Sequence, residues 1–416
     1  MLYDRAYCKY QTFDKMAYLQ SHAFRQNFTI IFHKYAEKKS NFAPAMSSRY
    51  NDFSRLELKL PNCLDNFRYF RSRLKSSTRM LVLVKANAYG HGAVELAAMM
   101  QQAGADYLAV ALPVEGVELR RGGISLPILV LTAGTDFYEE ITTYRLEPGI
   151  PNVESLKAFI SFLKEKGLKD YPVHIKLDTG MHRLGFVSEE LDSLLSTLRD
   201  CPEVKVKSIY SHLAASEDPQ EDDFTLGQIR LFSENAGIIT SAIGYKPMWH
   251  ILNSAGIERF PQFQYDMVRL GVGLYGISAV DPKALKPVAS LKVKILQIKH
   301  LTNDQETIGY GRHGKVSSEG TDIATIPVGY ADGINRHLGR GNATFSLNGH
   351  RVPTIGNICM DMCMLDVTGL DAKVGDTVTI FGEDPTVTEI ADILGTIPYE
   401  VLASVPRRIE RIVIRK

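Results

Sequence analysis

A lysine that closes an apolar run and opens a glycine-rich turn is a candidate for covalent chemistry, because a partly buried amine is kept uncharged and nucleophilic. Lys85 stands in that position, within Val84-Lys85-Ala86-Asn87-Ala88-Tyr89-Gly90-His91-Gly92. Other polar groups close apolar runs further along. They are Lys176 with Arg183 just past a turn, Ser211-His212, Asn253-Ser254, and Arg269 in Arg269-Leu270-Gly271-Val272-Gly273. Singly, each has a bland explanation: a lysine can snorkel from a strand end, and a buried histidine usually satisfies the core. Together, at corresponding ends of successive strands, they point to one polar mouth. Ser254 and the backbone amides of Gly271 and Val272 could cradle one phosphate, although no GxxxxGK[ST] is present and no GxGxxG opens a helix after the first strand. An amine, an anion cradle and an arginine suit pyridoxal phosphate, which needs a Schiff-base partner, a phosphate site and a neighbour for its ring nitrogen.

The elements that must position these groups follow a βα rhythm. Apolar, strand-like runs at 80–85, 106–113, 127–133, 147–150, 173–179, 206–214, 248–254 and 267–276 alternate with amphipathic stretches such as 152–166 and 224–241. Eight strands alternating with helices suit a closed (β/α)8 barrel, and an open doubly wound sheet is the alternative. After about residue 285 the pattern changes to short β-branched runs between Gly and Pro turns: Ser290 to Ile298, Asp322 to Val328, His350 to Ile355 and Thr377 to Phe381. That predicts a mainly β C-terminal domain. The expected division is 1–53 as an N-terminal appendage, 54–285 as the barrel and 286–416 as the β domain. Residues 1 to about 50 show no clear period, and Met46, just before the first patterned strand Leu56 to Leu60, is an alternative start of translation.

The chain has 416 residues, 48 basic against 47 acidic, for a net charge of +1. That balance gives no field for a nucleic-acid backbone or an anionic membrane surface. Five scattered cysteines argue against a disulfide framework, and Cys359 with Cys363 lacks the second ligand pair of a structural zinc site, so no metal is expected. With no apolar run of membrane-spanning length and no signal-peptide pattern, a cytoplasmic protein is expected.

Val84 to Gly92 resembles the cofactor-lysine block of alanine racemases. His174 to Gly185, Ser211-His212, Asn253-Ser254-Ala255, Val268 to Gly276 and Ile308-Gly309-Tyr310-Gly311 resemble that family in order and spacing. So do Gly329 to Gly333, Gly356 to Asp366, Tyr399-Glu400 and Val405-Pro406-Arg407, from about residue 54 to the end. One departure is Asn357, where many members carry arginine.

The resemblance implies a pyridoxal-phosphate barrel followed by a β domain, in a head-to-tail homodimer with shared sites, interconverting L- and D-alanine for peptidoglycan synthesis. It implies Lys85 as cofactor lysine and one base, and Tyr310 of the partner protomer as the other. Arg183 would hold the substrate carboxylate, with Met360 and Asp361 closing the site from the partner. Arg269 would face the ring nitrogen, with His212 tuning Arg269 or Tyr310. Tyr89, Asn253, Ser254, Gly271, Val272 and Tyr399 would surround the cofactor, and Lys176 would be carbamylated. Serine, lysine or a broad set of amino acids stay open as substrates. A decarboxylase on the same barrel lacks its cysteine-aspartate signature near Cys359-Met360-Asp361, and a non-catalytic cofactor-binding protein would not need a domain carrying Tyr310.

Overall fold

The computed structural model describes residues 53–415. The reading of residues 1–52, including the start at Met46, lies outside them.

The chain begins with a strand β1 (Ser54–Lys59), followed by a helix at Leu60–Ser72. Eight strands then form one all-parallel sheet: β2 (Arg79–Leu83), β3 (Tyr107–Val110), β4 (Ile128–Val130), β5 (Glu147–Ile150), β6 (Tyr171–Lys176), β7 (Val204–Tyr210), β8 (Met248–His250) and β9 (Met267–Leu270). Their order is sequential from β8 back to β2, and β2 then pairs with β9 through Arg79↔Met267 to Val82↔Leu270. Between β8 and β9 no ladder forms. The Asp266 amide donates to the Trp249 carbonyl at 3.1 Å, and the Arg269 amide to the Leu252 carbonyl at 3.0 Å. The barrel is thus nearly closed, with Arg269 at its seam.

Burial on both faces explains the near-continuous apolar strands. In β2, Met80 and Val82 pack outward under the helices while Leu81 points inward. Leu81, Tyr107, Ala109, Leu129 and Met267 fill one side of the barrel interior. The other side, from β5 to β9, is polar, with His174, Ser208, His250 and Arg269 all buried. The covering helices carry conventional signals. At Val153–Lys166, the Asn152 side chain accepts from the Ser155 amide at 2.8 Å, Gly167 ends the helix in a left-handed conformation, and Val153, Leu156, Phe159, Ile160 and Leu163 form the buried stripe.

The C-terminal region adds β10 (Ala289–Lys294), β11 (Gln297–Leu301), β12 (Thr307–Ile308), β13 (Gly314–Lys315), β14 (Thr321–Ile326), β15 (Thr344–Leu347), β16 (His350–Pro353), β17 (Cys363–Asp366), β18 (Thr377–Phe381) and β19 (Glu410–Ile414). Its main sheet runs β16-β15-β18-β10-β1-β19, with a three-stranded sheet β11-β14-β17 and a hairpin β12-β13 beside it. Two features depart from the sequence reading. The run at 290–298 divides into β10 and β11, and two helices, Val387–Leu394 and Pro398–Ala403, interrupt the β pattern. In addition, β1 does not belong with the barrel segment in which the expected division placed it. It lies between β10, antiparallel, and β19, parallel, within the C-terminal sheet. Among the described residues, no helix is long and apolar enough to cross a membrane.

Because β1 ties the front of the described chain into the last sheet, Leu58, 2% exposed, is shared by both halves. Leu58→Ala should destabilise the protein by about 2–5 kcal/mol, the usual cost of a buried leucine truncation. Urea unfolding would measure it, and a loss below about 1 kcal/mol would show that the sheet does not depend on this strand.

Candidate active site

Lys85 lies two residues past the end of β2, at the C-terminal mouth of the barrel, where barrel enzymes build their sites. The chain then makes a left-handed turn through four non-glycine residues, Ala86, Asn87, Ala88 and Tyr89, with φ from 51° to 54°. Such a conformation costs roughly 1–2 kcal/mol per residue, so it persists only where the surroundings over-determine it. Several contacts do so. The Glu115 carboxylate accepts from the amides of Ala86 at 2.6 Å, Ala111 at 2.8 Å and Leu112 at 3.0 Å. The Asn87 side chain accepts from the Ala93 amide at 3.0 Å, and Arg411 donates to the Gly90 carbonyl at 2.9 Å. Gly90 lies against the Leu402 backbone so closely that a Cβ would collide with that carbonyl. The C-terminal domain therefore clamps the turn that aims Lys85.

Four cationic side chains meet at this mouth. Burial pulls the Lys85 amine below its ordinary value, the positive Arg183 adds to that, and Glu115 opposes it. Lys176 donates to the Leu177 carbonyl at 2.8 Å and is pulled down to about 7, first by burial and then by Arg269. Arg183 is exposed, on a loop shaped by Asp178, whose Oδ1 accepts from the amides of Gly180, Met181 and His182 at 3.0, 3.1 and 3.0 Å.

Arg269, 3% exposed, has no carboxylate partner among the described residues. Instead it donates to the carbonyls of His250, Ser211 and Ile251 and to the Nδ1 atoms of His250 and His212, at 2.6 to 3.1 Å. Since a guanidinium can only donate, both Nδ1 atoms are acceptors and both rings are neutral. Burial, reinforced by Arg269, holds each imidazole well below its ordinary value.

The residues expected to cradle a phosphate lie together. Ser254 Oγ accepts from the amides of Gly271 at 2.9 Å and Gly273 at 3.2 Å. Val272 is buried beside them. Tyr89 packs on Tyr275 at 4.8 Å and faces Tyr399 at 6.1 Å between ring centroids. A Cβ at Gly271 would stand 3.3 Å from the Tyr89 hydroxyl and 3.7 Å from Ser254 Oγ, so a side chain would fill the space that an anion needs. The residues thus fit a lysine-bound pyridoxal phosphate. Asn253 takes a supporting place: its side-chain oxygen caps the helix Ser254–Arg259 through the Gly256 amide and accepts from Ser216, both at 2.8 Å.

Tyr310, Met360 and Asp361 do not join this cluster within one protomer. They line a separate cleft with Tyr330, Cys359 and Met362. Tyr310 is 72% exposed and Met360 54%. Asp361 pairs with Arg408 at 2.8 Å. Asn357 donates to the Tyr310 carbonyl and accepts from Arg340, both at 2.7 Å. Sequence reasoning gave no role to Glu115, Asp178 or His250, whose partners lie on neighbouring strands and loops. An inward-facing polar residue in an apolar strand was the one signal for His250.

Because the Glu115 charge opposes the depression of Lys85, Glu115→Gln should lower the Lys85 pKa further. The pH midpoint for amidination of Lys85, followed by mass spectrometry, should move to lower pH, whereas an unchanged midpoint would mean that Glu115 acts only as a turn anchor.

Residues 58–279 match the family model for the alanine racemase N-terminal domain, and 288–413 that for its C-terminal domain. The chain is 38% identical over 371 residues to an alanine racemase from Synechocystis sp., covering 86% of this chain and 98% of that one. It is 37% identical over 369 residues to one from Methanococcus maripaludis, covering 86% and 97%. Among solved structures, alanine racemase from Bacillus anthracis with bound L-Ala-P aligns with a TM-score of 0.81 at 30% identity, covering 88% of this chain and 96% of that one. The enzyme from Bartonella henselae with covalently bound pyridoxal phosphate aligns at 0.79 and 28%, covering 87% and 99%. With both domain models matched end to end around a lysine, an anion cradle and a buried arginine, the chain belongs to the alanine racemase family of pyridoxal-phosphate-dependent isomerases.

Proposed function

We propose that the protein interconverts L- and D-alanine with two bases on opposite faces of the substrate, Lys85 of one protomer and Tyr310 of its partner. The observation that carries this reading is the separation within one chain: Lys85 sits at the barrel mouth, while Tyr310 stands exposed on a different face. A second copy, docked head to tail, would bring Tyr310, Met360 and Asp361 to the barrel mouth, and this reading explains their exposure.

Racemisation requires a proton to leave one face of the α-carbon and another to arrive at the opposite face. Bound pyridoxal phosphate, held by Lys85 and cradled by Tyr89, Ser254, Gly271, Val272 and Tyr399, supplies the electron withdrawal that acidifies that C–H bond. Lys85 Nζ, its pKa depressed, holds or gives the proton on one face. Tyr310 Oη does so on the other. Arg183 binds the substrate carboxylate through its planar guanidinium. Arg269 would be the neighbour of the ring nitrogen and, being unable to give up a proton readily, would leave that nitrogen unprotonated. Lys176, with its amine pulled down to about 7, is partly neutral near neutrality and open to reaction with carbon dioxide. The resulting carbamate, formed with loss of a proton, would set an anion beside Arg269 and Arg183. The balanced charge and the scattered cysteines support a cytoplasmic enzyme, and the D-alanine it forms would supply peptidoglycan synthesis.

A coupled assay of D-alanine formed from L-alanine, run beside L-serine and L-lysine, tests the substrate. Alanine turnover well above the others is expected, and preference for another amino acid would overturn the assignment. Tyr310→Phe should slow proton removal from one enantiomer more than from the other, measured by α-deuterium isotope effects in each direction, whereas equal effects would count against a one-face base. Lys85→Ala and Tyr310→Phe proteins should each be nearly inactive. After mixing, they should regain about a quarter of wild-type activity, because half of the random dimers hold one intact site. No recovery despite subunit exchange would exclude a shared site.

A further inference from the structure

One side of the barrel interior carries a single file of polar side chains, one from each of five adjacent strands. It runs from Arg269 on β9 through His250 on β8, Ser208 on β7 and His174 on β6 to Glu147 on β5. The separations are 3.0 Å from Arg269 Nη1 to His250 Nδ1, 2.9 Å from His250 Nε2 to Ser208 Oγ, 2.5 Å from Ser208 Oγ to His174 Nδ1, and 2.8 Å from His174 Nε2 to Glu147 Oε2. His174, Ser208 and His250 are completely buried. Only Glu147 reaches the surface, in a cleft at the opposite end of the barrel that Arg79 and Lys246 also line.

With both imidazoles neutral, the two ends fix the direction of every proton in this file. A guanidinium has only donors and a carboxylate only acceptors. His250 Nδ1 must therefore accept from Arg269, which leaves the hydrogen on Nε2, donated to Ser208. The serine hydroxyl then donates to His174 Nδ1, and the His174 Nε2 hydrogen goes to Glu147. Turning any one member round would set donor against donor or acceptor against acceptor in a buried site, at a cost of about 1–3 kcal/mol for each group left unmade.

We propose that Ser208, His174 and Glu147 are positioning residues for the racemisation, which keep His250 in the one neutral tautomer that offers a lone pair to Arg269. Resting on the reading that Arg269 faces the cofactor's ring nitrogen, the file holds the guanidinium charged and in place and keeps any mobile proton away from that nitrogen. Without Ser208, the His250 Nε2 hydrogen loses its acceptor and the ring is free to change tautomer, presenting Nδ1–H against Arg269. A proton source would then stand one residue from the place of the ring nitrogen, and the substrate's amino group would more often be left on the cofactor, its carbon skeleton leaving with the oxygen of a water as the 2-oxo acid pyruvate.

The test uses the full-length protein with 15N-labelled histidine, with and without pyridoxal phosphate. Wild type should show His174 and His250 as neutral Nε2–H tautomers in both states, assigned by replacing each histidine in turn. Ser208→Ala should abolish the fixed His250 tautomer, lower kcat about tenfold with little change in KM, and raise pyruvate released per D-alanine formed by about tenfold, the effect of one lost buried hydrogen bond. Ser208→Thr, which keeps the hydroxyl, should restore all three. Should Ser208→Ala fold poorly, Glu147→Ala at the half-open end should give the same triad of changes, with Glu147→Gln, still an acceptor, close to wild type. An Nδ1–H tautomer at His250 in wild type would overturn the proposal whatever Arg269 faces. So would a tautomer change in Ser208→Ala that leaves kcat and the pyruvate ratio untouched. If Arg269→Lys leaves the spectrum of the bound cofactor unaltered while the tautomers stand, the reading of what Arg269 faces fails separately.

Discussion

The interior of this barrel is organised around a buried guanidinium that no carboxylate neutralises among the described residues. Taking a charge out of water costs several kcal/mol unless hydrogen bonds replace the lost solvation. Arg269 meets that demand with three carbonyls and two imidazole nitrogens, drawn from the ends of β7 and β8 and the segments that follow them. The seam of the barrel makes this possible. Where β8 and β9 part from regular pairing, the Ile251 carbonyl turns toward the guanidinium, and the His250 carbonyl, which also accepts from the Ser211 amide at 3.3 Å, gives it a second lone pair. Burial first, and this positive charge second, hold His212 and His250 well below the ordinary imidazole value and pull the Lys176 amine down to about 7.

The same economy of charge shapes the mouth. Lys85 and Arg183 add two more cations, and Glu115, whose field reaches Lys85, faces three backbone amides rather than an arginine. An amine kept partly neutral among cations is nucleophilic, and anionic groups find a ready field there. The left-handed turn after Lys85 is the conformational counterpart. It is held from the C-terminal side by Arg411 and Leu402, so the domain that carries Tyr310 also sets the aim of the barrel lysine. The placement of β1 between β10 and β19 makes the two halves one structural unit.

The eight barrel strands and the residues at their ends were legible because parallel strands buried on both faces read as apolar runs, against which Lys85, Lys176 and Arg269 stand out. Partnership was not legible. Nothing in Leu56-Glu57-Leu58 says which sheet it joins, since alternation specifies a half-buried strand and not its neighbour. The turn from Ala86 to Tyr89 is spelled with alanines that elsewhere favour right-handed helix, so only its surroundings explain it. Glu147, His174, Ser208 and His250 are separated by 27 to 42 positions along the chain, and only the barrel's cross-strand register sets them in line.

Asn357 shows how a local departure from a family pattern is absorbed. Its amide group bridges two partners, giving a hydrogen to the Tyr310 carbonyl and taking one from Arg340. A guanidinium at 357 could donate to that carbonyl but could not accept. With asparagine, the positive charge at this place is that of Arg340, and the amide links it to the backbone of Tyr310. The exposed tyrosine therefore has a fixed main chain beneath a side chain that stands 72% exposed, an arrangement that suits the base proposed for it.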